Sequence, residues 1–353
     1  MGFAPGPETK GYLLMQSKRK EILSLINLEL GFTSGKFRNR LLPPLNSCAN
    51  ECELIAVIGR NGIGKSTLLR TIAGLHRMLG GETIVENRNI IEYSRIQLSA
   101  KVGYISTEVV KASNMRVYDL VALGRFPYTN WLGITDNTDD EKIMDAIDKA
   151  GITGLIGRPI SELSDGERQR AMIAMVLAQD TLLMVMDEPT AFLDISSKFE
   201  LMHLLHELTR NRNKTIIFST HDLGTAVREA DKIWLLTDNG LREGAPEDLM
   251  IDGAFNNLFD ESKVRFNAHD GTFYVNNEEK GQIYVTGKGE IRFWTEKALI
   301  RAGYKISGSQ SEISVEAPSE PNNPWKCTTE EFSVEFNTIY EMINWIRDKN
   351  FTF

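Results

Sequence analysis

The stretch Leu54-Ile-Ala-Val-Ile-Gly-Arg-Asn-Gly-Ile-Gly-Lys-Ser-Thr67 decides the fold of this chain. Its first five residues form a short apolar run that predicts a buried strand, and a helical pattern follows from Leu68 to Leu75. A strand, a glycine-rich turn and a helix in this order form a P-loop, where backbone N–H groups and the helix N-terminus bind phosphate. The chance of a fortuitous glycine-rich turn is small in this context.

The residue types in the loop match the parts of a nucleotide that each would contact. The glycines let N–H groups turn inward around phosphates. Lys65 is expected to reach the β and γ phosphates, Ser66 to ligate Mg²⁺, and Thr67 to bond on the α-phosphate side. The predicted nucleotide-binding residues of the loop are Gly59, Asn61, Gly62, Gly64, Lys65, Ser66 and Thr67.

Two acidic residues and a histidine are expected at the same edge of the sheet as this loop. Asp187 and Glu188 end the apolar run Leu182–Met186, and His221 follows the predicted strand Thr215–Ser219. Ligands bind at the carboxyl ends of strands in open α/β sheets. We predict Asp187 as a Mg²⁺ ligand through water, Glu188 as general base, and His221 as a contact to the γ-phosphate.

The whole chain divides into two predicted domains, and the P-loop lies in the first. Strands alternate with helices such as Asp139–Ala150, which implies a largely parallel sheet. The pattern changes around Gly244–Gly253, and we predict a boundary near residue 264. Residues 265–353 combine alternating apolar runs with two helical patterns, one at Thr295–Ala302 and a last one containing Ile339, Met342, Ile343 and Ile346. A small α+β domain with hairpins is expected there, with Lys288 in a turn.

A capped helix start lies about twenty residues before Asp187. In Leu163-Ser-Asp-Gly-Glu-Arg-Gln-Arg170, Ser164 and Glu167 have the spacing of a capping box, and the helix is expected to continue to Ala178. A capped N-terminus with an adjacent glycine binds anions, but capping boxes also occur at many ordinary helix starts. The position of this box relative to Asp187 favours a functional role.

Taken in order, four segments resemble the ATP-binding cassette (ABC) ATPases over roughly residues 21–250. They are similar to Walker A, the signature, Walker B with the D-loop, and the H-loop, and they comprise Gly59–Thr67, Leu163–Arg170, Leu182–Asp194 and Ser219–Asp222. The resemblance implies an α/β P-loop NTPase cassette over residues 1–264, with a RecA-like core and a helical subdomain at about 108–175. It also implies hydrolysis of ATP with Mg²⁺.

The segment Val121–Tyr128 is similar to the ATPases of importers for iron-siderophores, haem and cobalamin. This resemblance implies a peripheral ATPase subunit at the cytoplasmic face of the membrane, beneath a separate permease. An external or periplasmic binding protein would bring the solute to that permease. The alternative is a non-transport ABC ATPase of translation or DNA repair. A single cassette, with Lys65 and Ser164 about a hundred residues apart, favours transport.

In this family two cassettes face head to tail, so the resemblance implies a homodimer. Ser164 and Gly166 would then bind the γ-phosphate held by the other subunit, and Asp194 would link the two sites. An aromatic residue near the N-terminus would stack on adenine, and Phe32 is the candidate, with Phe37 close enough in sequence to compete.

The chain departs from the family pattern in two places. Asp165 and Glu167 replace the signature's usual glycine and glutamine, and we expect both to be tolerated. Thr107 stands where the family has its Q-loop glutamine, which touches Mg²⁺ and couples to the permease. We expect either Thr107 or the adjacent Glu108 to take that role.

Composition is consistent with this function. Of 353 residues, 42% are hydrophobic, and the net charge of −8 argues against nucleic acid as a partner. The three cysteines have no second CxxC partner pair and are expected to be reduced thiols. No targeting segment is expected in Met1–Lys20, and apolar runs fall short of the roughly 20 residues of a membrane span.

Overall fold

The computed structural model describes residues 20–35, 37–106, 114–129, 137–255, 264–267, 272–275 and 280–349. Described residues up to Phe255 form one compact unit, and those from Lys280 onward belong to a second. Within these ranges, no helix combines the length and the apolar character that crossing a membrane requires.

The strands of the first unit are β1 (Glu21–Glu29), β2 (Gly31–Ser34), β3 (Phe37–Arg40), β4 (Leu45–Asn50), β5 (Leu54–Ile58), β6 (Gly80–Val85), β7 (Arg88–Asn89), β8 (Val102–Ile105), β9 (Leu183–Met186), β10 (Thr215–Ser219), β11 (Lys232–Thr237) and β12 (Gly240–Gly244). Its helices are α1 (Lys65–Ile72), α2 (Arg95–Ser99), α3 (Val117–Ala122), α4 (Asn137–Lys149), α5 (Asp165–Ala178), α6 (Ile195–Asn211), α7 (Leu223–Glu229) and α8 (Pro246–Ile251). Short 3-10 helices span Ile90–Glu92, Leu123–Arg125, Thr153–Leu155 and Ile160–Glu162.

A six-stranded sheet in the order β12-β11-β5-β10-β9-β8 forms the centre of this unit. Its strands run parallel except for the edge strand β12. Every residue of β5, β9 and β10 is buried, as expected for strands covered on both faces. The three predicted strands are confirmed, the second beginning one residue later than Leu182. Parallel pairing brings the carboxyl ends of β5, β9 and β10 to one edge.

A second, antiparallel sheet in the order β4-β1-β6-β7 packs with the first around a shared apolar core. The core includes Leu23, Leu25 and Leu28 from β1 together with Leu68 and Leu69 from α1. Helix α1 ends at Ile72 rather than continuing to Leu75, because Gly74 adopts a φ of +70° and closes the helix. These contacts fix the P-loop helix against both sheets.

Helices occupy the described chain between residues 114 and 178, apart from short turns. The predicted helix at Asp139–Ala150 is confirmed as α4, two residues longer at its start and one shorter at its end, with Ile143, Ala146 and Ile147 buried as the spacing required. The Arg125 guanidinium donates to Asp139 over 2.7 Å, and both side chains are buried. Arg125 also donates to the Ala178 carbonyl, so one side chain connects α4 with the end of α5.

Residues 264–267 (β13) and 272–275 (β14) pair in a two-stranded sheet. The second unit has a five-stranded sheet in the order β16-β15-β17-β18-β19, covered by α9 and α10 around an apolar core. Its elements are β15 (Gly281–Thr286), α9 (Gly289–Arg301), β16 (Tyr304–Ser307), β17 (Ile313–Glu316), β18 (Trp325–Thr328), β19 (Ser333–Phe336) and α10 (Ile339–Asp348).

Helix α9 begins six residues before the predicted Thr295. Residues 291–295 are β-branched, aromatic or Arg, and most have only modest helix propensity, so packing of Ile291 and Leu299 on the core decides their conformation. Lys288, predicted in a turn, instead has extended backbone and is the N-cap residue of α9, between Gly287 and Gly289, which both have positive φ values. The last helix is confirmed as α10, with Met342, Ile343 and Ile346 buried.

Candidate functional site

The P-loop leaves β5 at the carboxyl edge of the central sheet. A Cβ atom at Gly59 would come within 2.7 Å of the Leu236 carbonyl oxygen, so only glycine fits where the loop passes β11. Gly62 and Gly64 have φ values of +79° and +113°, in the region that side chains with a Cβ avoid. Steric fit therefore requires glycine at position 59, and backbone conformation favours it at positions 62 and 64.

Lys65 folds back across the loop. Its Nζ donates to the carbonyl oxygens of Gly59 at 2.8 Å and Arg60 at 3.2 Å. Burial lowers the pKa of Lys65, while the nearby carboxylates of Glu188 and Asp187 act in the opposite direction. The ammonium thus lies inside the curve of the loop and within electrostatic reach of both acidic residues.

Ser66 and Asp187 meet at the centre of the site. The Ser66 hydroxyl donates to Asp187 Oδ1 over 3.0 Å, and the same oxygen accepts a 2.7 Å bond from the Ser219 hydroxyl. Asp187 is 4% exposed, and its N–H donates to the Ile105 carbonyl. One hydroxyl and one carboxylate are oxygen ligands of the kind that Mg²⁺ prefers, so these residues fit that ion.

Glu188 and His221 lie on the solvent side of Asp187. Glu188 Oε2 is 3.5 Å from His221 Nδ1, and the side chains are 31% and 66% exposed. Glu188 has a φ of +47°, unusual for a residue with a side chain, and its N–H donates to the Ser219 hydroxyl over 2.9 Å. A carboxylate and an imidazole in contact, next to a phosphate-binding loop, can activate and orient a water molecule.

No role for Ser219 was predicted from the sequence. The strand register places Ser219 beside Asp187, because Phe218 pairs with Met186 and these are the next residues along the two strands. Reading that register required knowing that β9 and β10 are neighbours.

The signature turn and the D-loop residue lie together in a second cluster. The capping box of α5 is confirmed: the Glu167 N–H donates to the Ser164 hydroxyl, and the Ser164 N–H donates to the Glu167 carboxylate. The bond from the Ser164 N–H to the Glu167 carboxylate lowers the pKa of Glu167. Asp194 caps α6 through the N–H and hydroxyl of Ser197, and a Cβ at Gly166 would lie 3.0 Å from that same hydroxyl.

Asp194 itself has a lowered pKa, caused first by the hydrogen bond from the Ser197 N–H.

Two further predicted residues lie in the P-loop, where Asn61 is exposed and Thr67 is half-buried. Thr107 and Glu108 lie outside the described residues, so the site geometry does not include them.

The two aromatic candidates for stacking differ in their surroundings. Phe32 is 50% exposed and packs edge-on against His76, with ring centroids 5.1 Å apart, whereas Phe37 is 82% exposed. Both lie on the β2–β3 hairpin, which continues into Leu41. The Leu41 side chain lies near the P-loop, since a Cβ at Gly64 would be 3.3 Å from Leu41 Cδ1. The hairpin therefore borders the loop, and Phe32 is the more fixed of its two aromatics.

A P-loop with paired acidic residues and a histidine at the carboxyl edge of a parallel sheet defines the class of P-loop ATPases. Residues 42–191 match the family model described as ABC transporter, and residues 280–347 match the Iron ABC transporter C-terminal domain. An ABC transporter ATP-binding protein from Methanocaldococcus jannaschii is 35% identical over 70% of this chain and 89% of the relative. The ferric enterobactin transport ATP-binding protein of Escherichia coli is 37% identical over 55% and 72%.

Solved structures give the same result. A metal-chelate type ABC transporter in an inward-facing conformation matches with 30% identity and a TM-score of 0.56, over 65% of this chain and 85% of that one. An ATP-binding cassette in a dimeric post-hydrolysis state, bound to ADP and Pi, matches with 25% identity and a TM-score of 0.56, over 64% and 99%. The chain belongs to the ABC transporter ATP-binding family and is an ATPase, and the predicted fold is confirmed.

Proposed function

We propose that this chain hydrolyses ATP to power uptake of a metal chelate through a separate permease. The solute class is an iron-siderophore, haem or cobalamin. The observation that carries the proposal is the hydrogen-bonded set of Ser66, Asp187, Ser219 and Glu188 beside Lys65, which assembles the parts of an ATPase site. Similarity to a ferric enterobactin transport protein and to an iron transporter C-terminal domain supports the class of solute.

The residues at the sheet edge have distinct proposed roles. The P-loop N–H groups and Lys65 bind the phosphates, and Ser66 and Asp187 hold Mg²⁺, directly and through water respectively. Bound Mg²⁺ would neutralise charge on the phosphate oxygens. Glu188 accepts a proton from the attacking water, and His221, which contacts Glu188, orients that water and contacts the γ-phosphate.

The chain works as a homodimer in this proposal. Ser164 and Gly166 complete the site of the second copy, and Asp194 links the two sites. The close approach of Gly166 to Ser197 supports this coupling, since a Cβ at Gly166 would lie 3.0 Å from the Ser197 hydroxyl. That hydroxyl also donates to Asp194, so a displacement of the signature turn would alter the surroundings of Asp194. Phe32 stacks on adenine.

The proposed assembly lies at the cytoplasmic face of a membrane, with permease subunits as direct partners. An external or periplasmic binding protein takes part indirectly, and the net charge of −8 supports the exclusion of nucleic acid. Thr107 or Glu108 replaces the Q-loop glutamine in coupling. A Thr107→Ala, Glu108→Ala double variant with unchanged ATPase and transport would remove that part of the proposal.

Residues 1–264 constitute the cassette, with its helical subdomain at about 108–175, and residues 265–353 are an accessory domain. We assign this domain a regulatory or dimer-stabilising role, with ligand sensing as the other possibility. Deleting it without change in dimerisation, ATPase or uptake would contradict both roles.

The test is recovery of partners from gently solubilised native membranes with a tagged chain carrying Glu188→Gln. This variant is expected to bind ATP without hydrolysing it, and a polytopic permease should be recovered in stoichiometric amount. Lys65→Ala, which should not bind ATP, is the matched control. With ATP present, it should recover less permease than Glu188→Gln. Recovery of ribosomes or DNA instead of a permease would contradict an importer.

A further inference from the structure

Ser219 is the last residue of β10 and is fully buried. The parallel register pairs Phe218 with Met186, so Ser219 is the neighbour of Asp187 where β9 ends. On its other side β10 pairs with β5, and Ser219 lies opposite Val57, two residues before the P-loop. The residue is therefore enclosed between the two strands that carry the phosphate-binding and acidic parts of the site.

The Ser219 hydroxyl uses both of its hydrogen-bonding capacities on consecutive residues of the neighbouring strand end. It donates to Asp187 Oδ1 over 2.7 Å and accepts from the Glu188 N–H over 2.9 Å. The first bond orients a carboxylate side chain, and the second fixes a backbone turn. A single oxygen atom thus sets the position of Asp187 and Glu188 relative to each other.

The turn at Glu188 needs such support. Its φ of +47° lies in the left-handed region, which a residue with a Cβ adopts only when its surroundings enforce it. The N–H of Glu188 points to the Ser219 hydroxyl. Loss of that acceptor would leave a part-buried donor without this partner and remove a restraint on the direction in which the Glu188 carboxylate leaves the strand.

We propose that Ser219 is a positioning residue for ATP hydrolysis, which holds the carboxylates of Asp187 and Glu188 in working geometry through one buried hydroxyl. The inference rests on the proposed roles of Asp187 and Glu188. Ser219 does not touch the nucleotide in this proposal, so its effect falls on the rate of hydrolysis rather than on nucleotide binding.

The chain offers a matched control on the same strand. Thr215, at the opposite end of β10, is also buried, and its hydroxyl also donates to a carbonyl, that of Asn50, and accepts from a backbone N–H, that of Cys52. It makes the same kind of bridge far from the carboxyl edge of the sheet. Thr215→Val therefore reports what losing a buried bridging hydroxyl on β10 costs the fold alone.

The experiment compares steady-state ATP hydrolysis and thermal unfolding of the full-length chain with Ser219→Ala, Ser219→Thr and Thr215→Val. Ser219→Ala is expected to lower kcat by about 10- to 100-fold, the range found for partners that orient site ligands, while KM for ATP changes by less than about twofold. Ser219→Thr keeps the hydroxyl and should retain most of kcat. Thr215→Val should lower the melting temperature to a similar extent as Ser219→Ala but leave kcat near that of the unchanged chain.

A Ser219→Ala protein that is destabilised like Thr215→Val yet keeps its kcat would overturn the inference, since the hydroxyl would then be purely structural. Equal losses of kcat in Ser219→Ala and Ser219→Thr would overturn it too. Glu188→Gln, measured in parallel, tests the proposed general base separately from the inferred positioning role of Ser219. If Glu188→Gln hydrolyses ATP normally, the proposed general base is wrong; if it is inactive while Ser219→Ala is normal, only the role of Ser219 is wrong.

Discussion

The hydroxyl of Ser66 and the carboxylate of Asp187, 121 residues apart in sequence, are joined by a 3.0 Å hydrogen bond at the carboxyl edge of the central sheet. The bond connects the first turn of α1 to the end of β9. It places the hydroxyl that is proposed to bind Mg²⁺ directly next to the carboxylate that is proposed to hold the ion through water.

Ser66→Ala should lower ATPase activity by about 10- to 100-fold and shift its dependence on Mg²⁺ to higher concentrations, because one oxygen ligand is lost. Ser66→Thr retains a hydroxyl and should keep most of the activity. Titrating Mg²⁺ into metal-depleted protein with ATP present measures the shift. An unchanged midpoint in Ser66→Ala would show that this hydroxyl is not a ligand.

Phe32→Ala should weaken ATP binding by about 1–3 kcal/mol, the usual value of stacking between a base and an aromatic ring. Phe32→Tyr should restore it, because stacking tolerates any aromatic. Phe37→Ala on the same hairpin is the control, since this side chain is 82% exposed. Calorimetric titration of ATP compares the three variants, and a loss confined to Phe37→Ala would reverse the assignment.

Arg125→Ala should destabilise the first unit by about 3 kcal/mol, because it removes the buried guanidinium that pairs with the buried Asp139 carboxylate. Lys142→Ala is the control. It breaks a pair with Asp180 in which both side chains are about half exposed, and such pairs contribute about 1 kcal/mol or less. Denaturant unfolding measures both. Similar losses in the two variants would contradict the expectation that removing one partner of a buried ion pair costs more than removing one partner of an exposed pair.

Cys327 should resist thiol reagents at pH 8 until the second unit unfolds. Burial raises the pKa of this thiol to about 11. Because the pKa is raised on folding, the stability linked to the neutral thiol is present below the unfolded value of 9.0 and is lost as the pH rises through 11.

Labelling of a Cys48→Ser, Cys52→Ser variant isolates Cys327 for this measurement. The stability difference between the cysteine and a Cys327→Ala variant should then shrink between pH 9 and 11. Labelling in the native protein at the rate of the unfolded chain would contradict the buried, protonated thiol.

Local signals were sufficient for much of this fold. The Ser164 capping box and the apolar runs of β5 and β10 depend on residues close in sequence, and each has the predicted form. The predicted end of α1 was wrong because a single glycine, Gly74, closes that helix. The predicted start of α9 was wrong because packing on the core decides where that helix begins.

Features that depend on strand order and helix packing could not be read from the sequence. Ser219 acquires its position only because β10 lies beside β9, and Arg125 reaches Asp139 only because α4 packs next to the segment that carries the arginine. The segment around Arg125 resembles importer ATPases in sequence, and the structure shows that this arginine connects α4 with the end of α5.

The most direct test of an ATP-driven pair of cassettes is the mass in solution of the full-length Glu188→Gln chain. Sedimentation with ATP and Mg²⁺ should give a dimer, at twice the 39.8 kDa of one chain, and sedimentation with ADP should give a monomer. Adding Ser164→Arg, which would obstruct the signature turn, should abolish the dimer. A monomer under both nucleotide conditions would contradict hydrolysis by a pair of these chains.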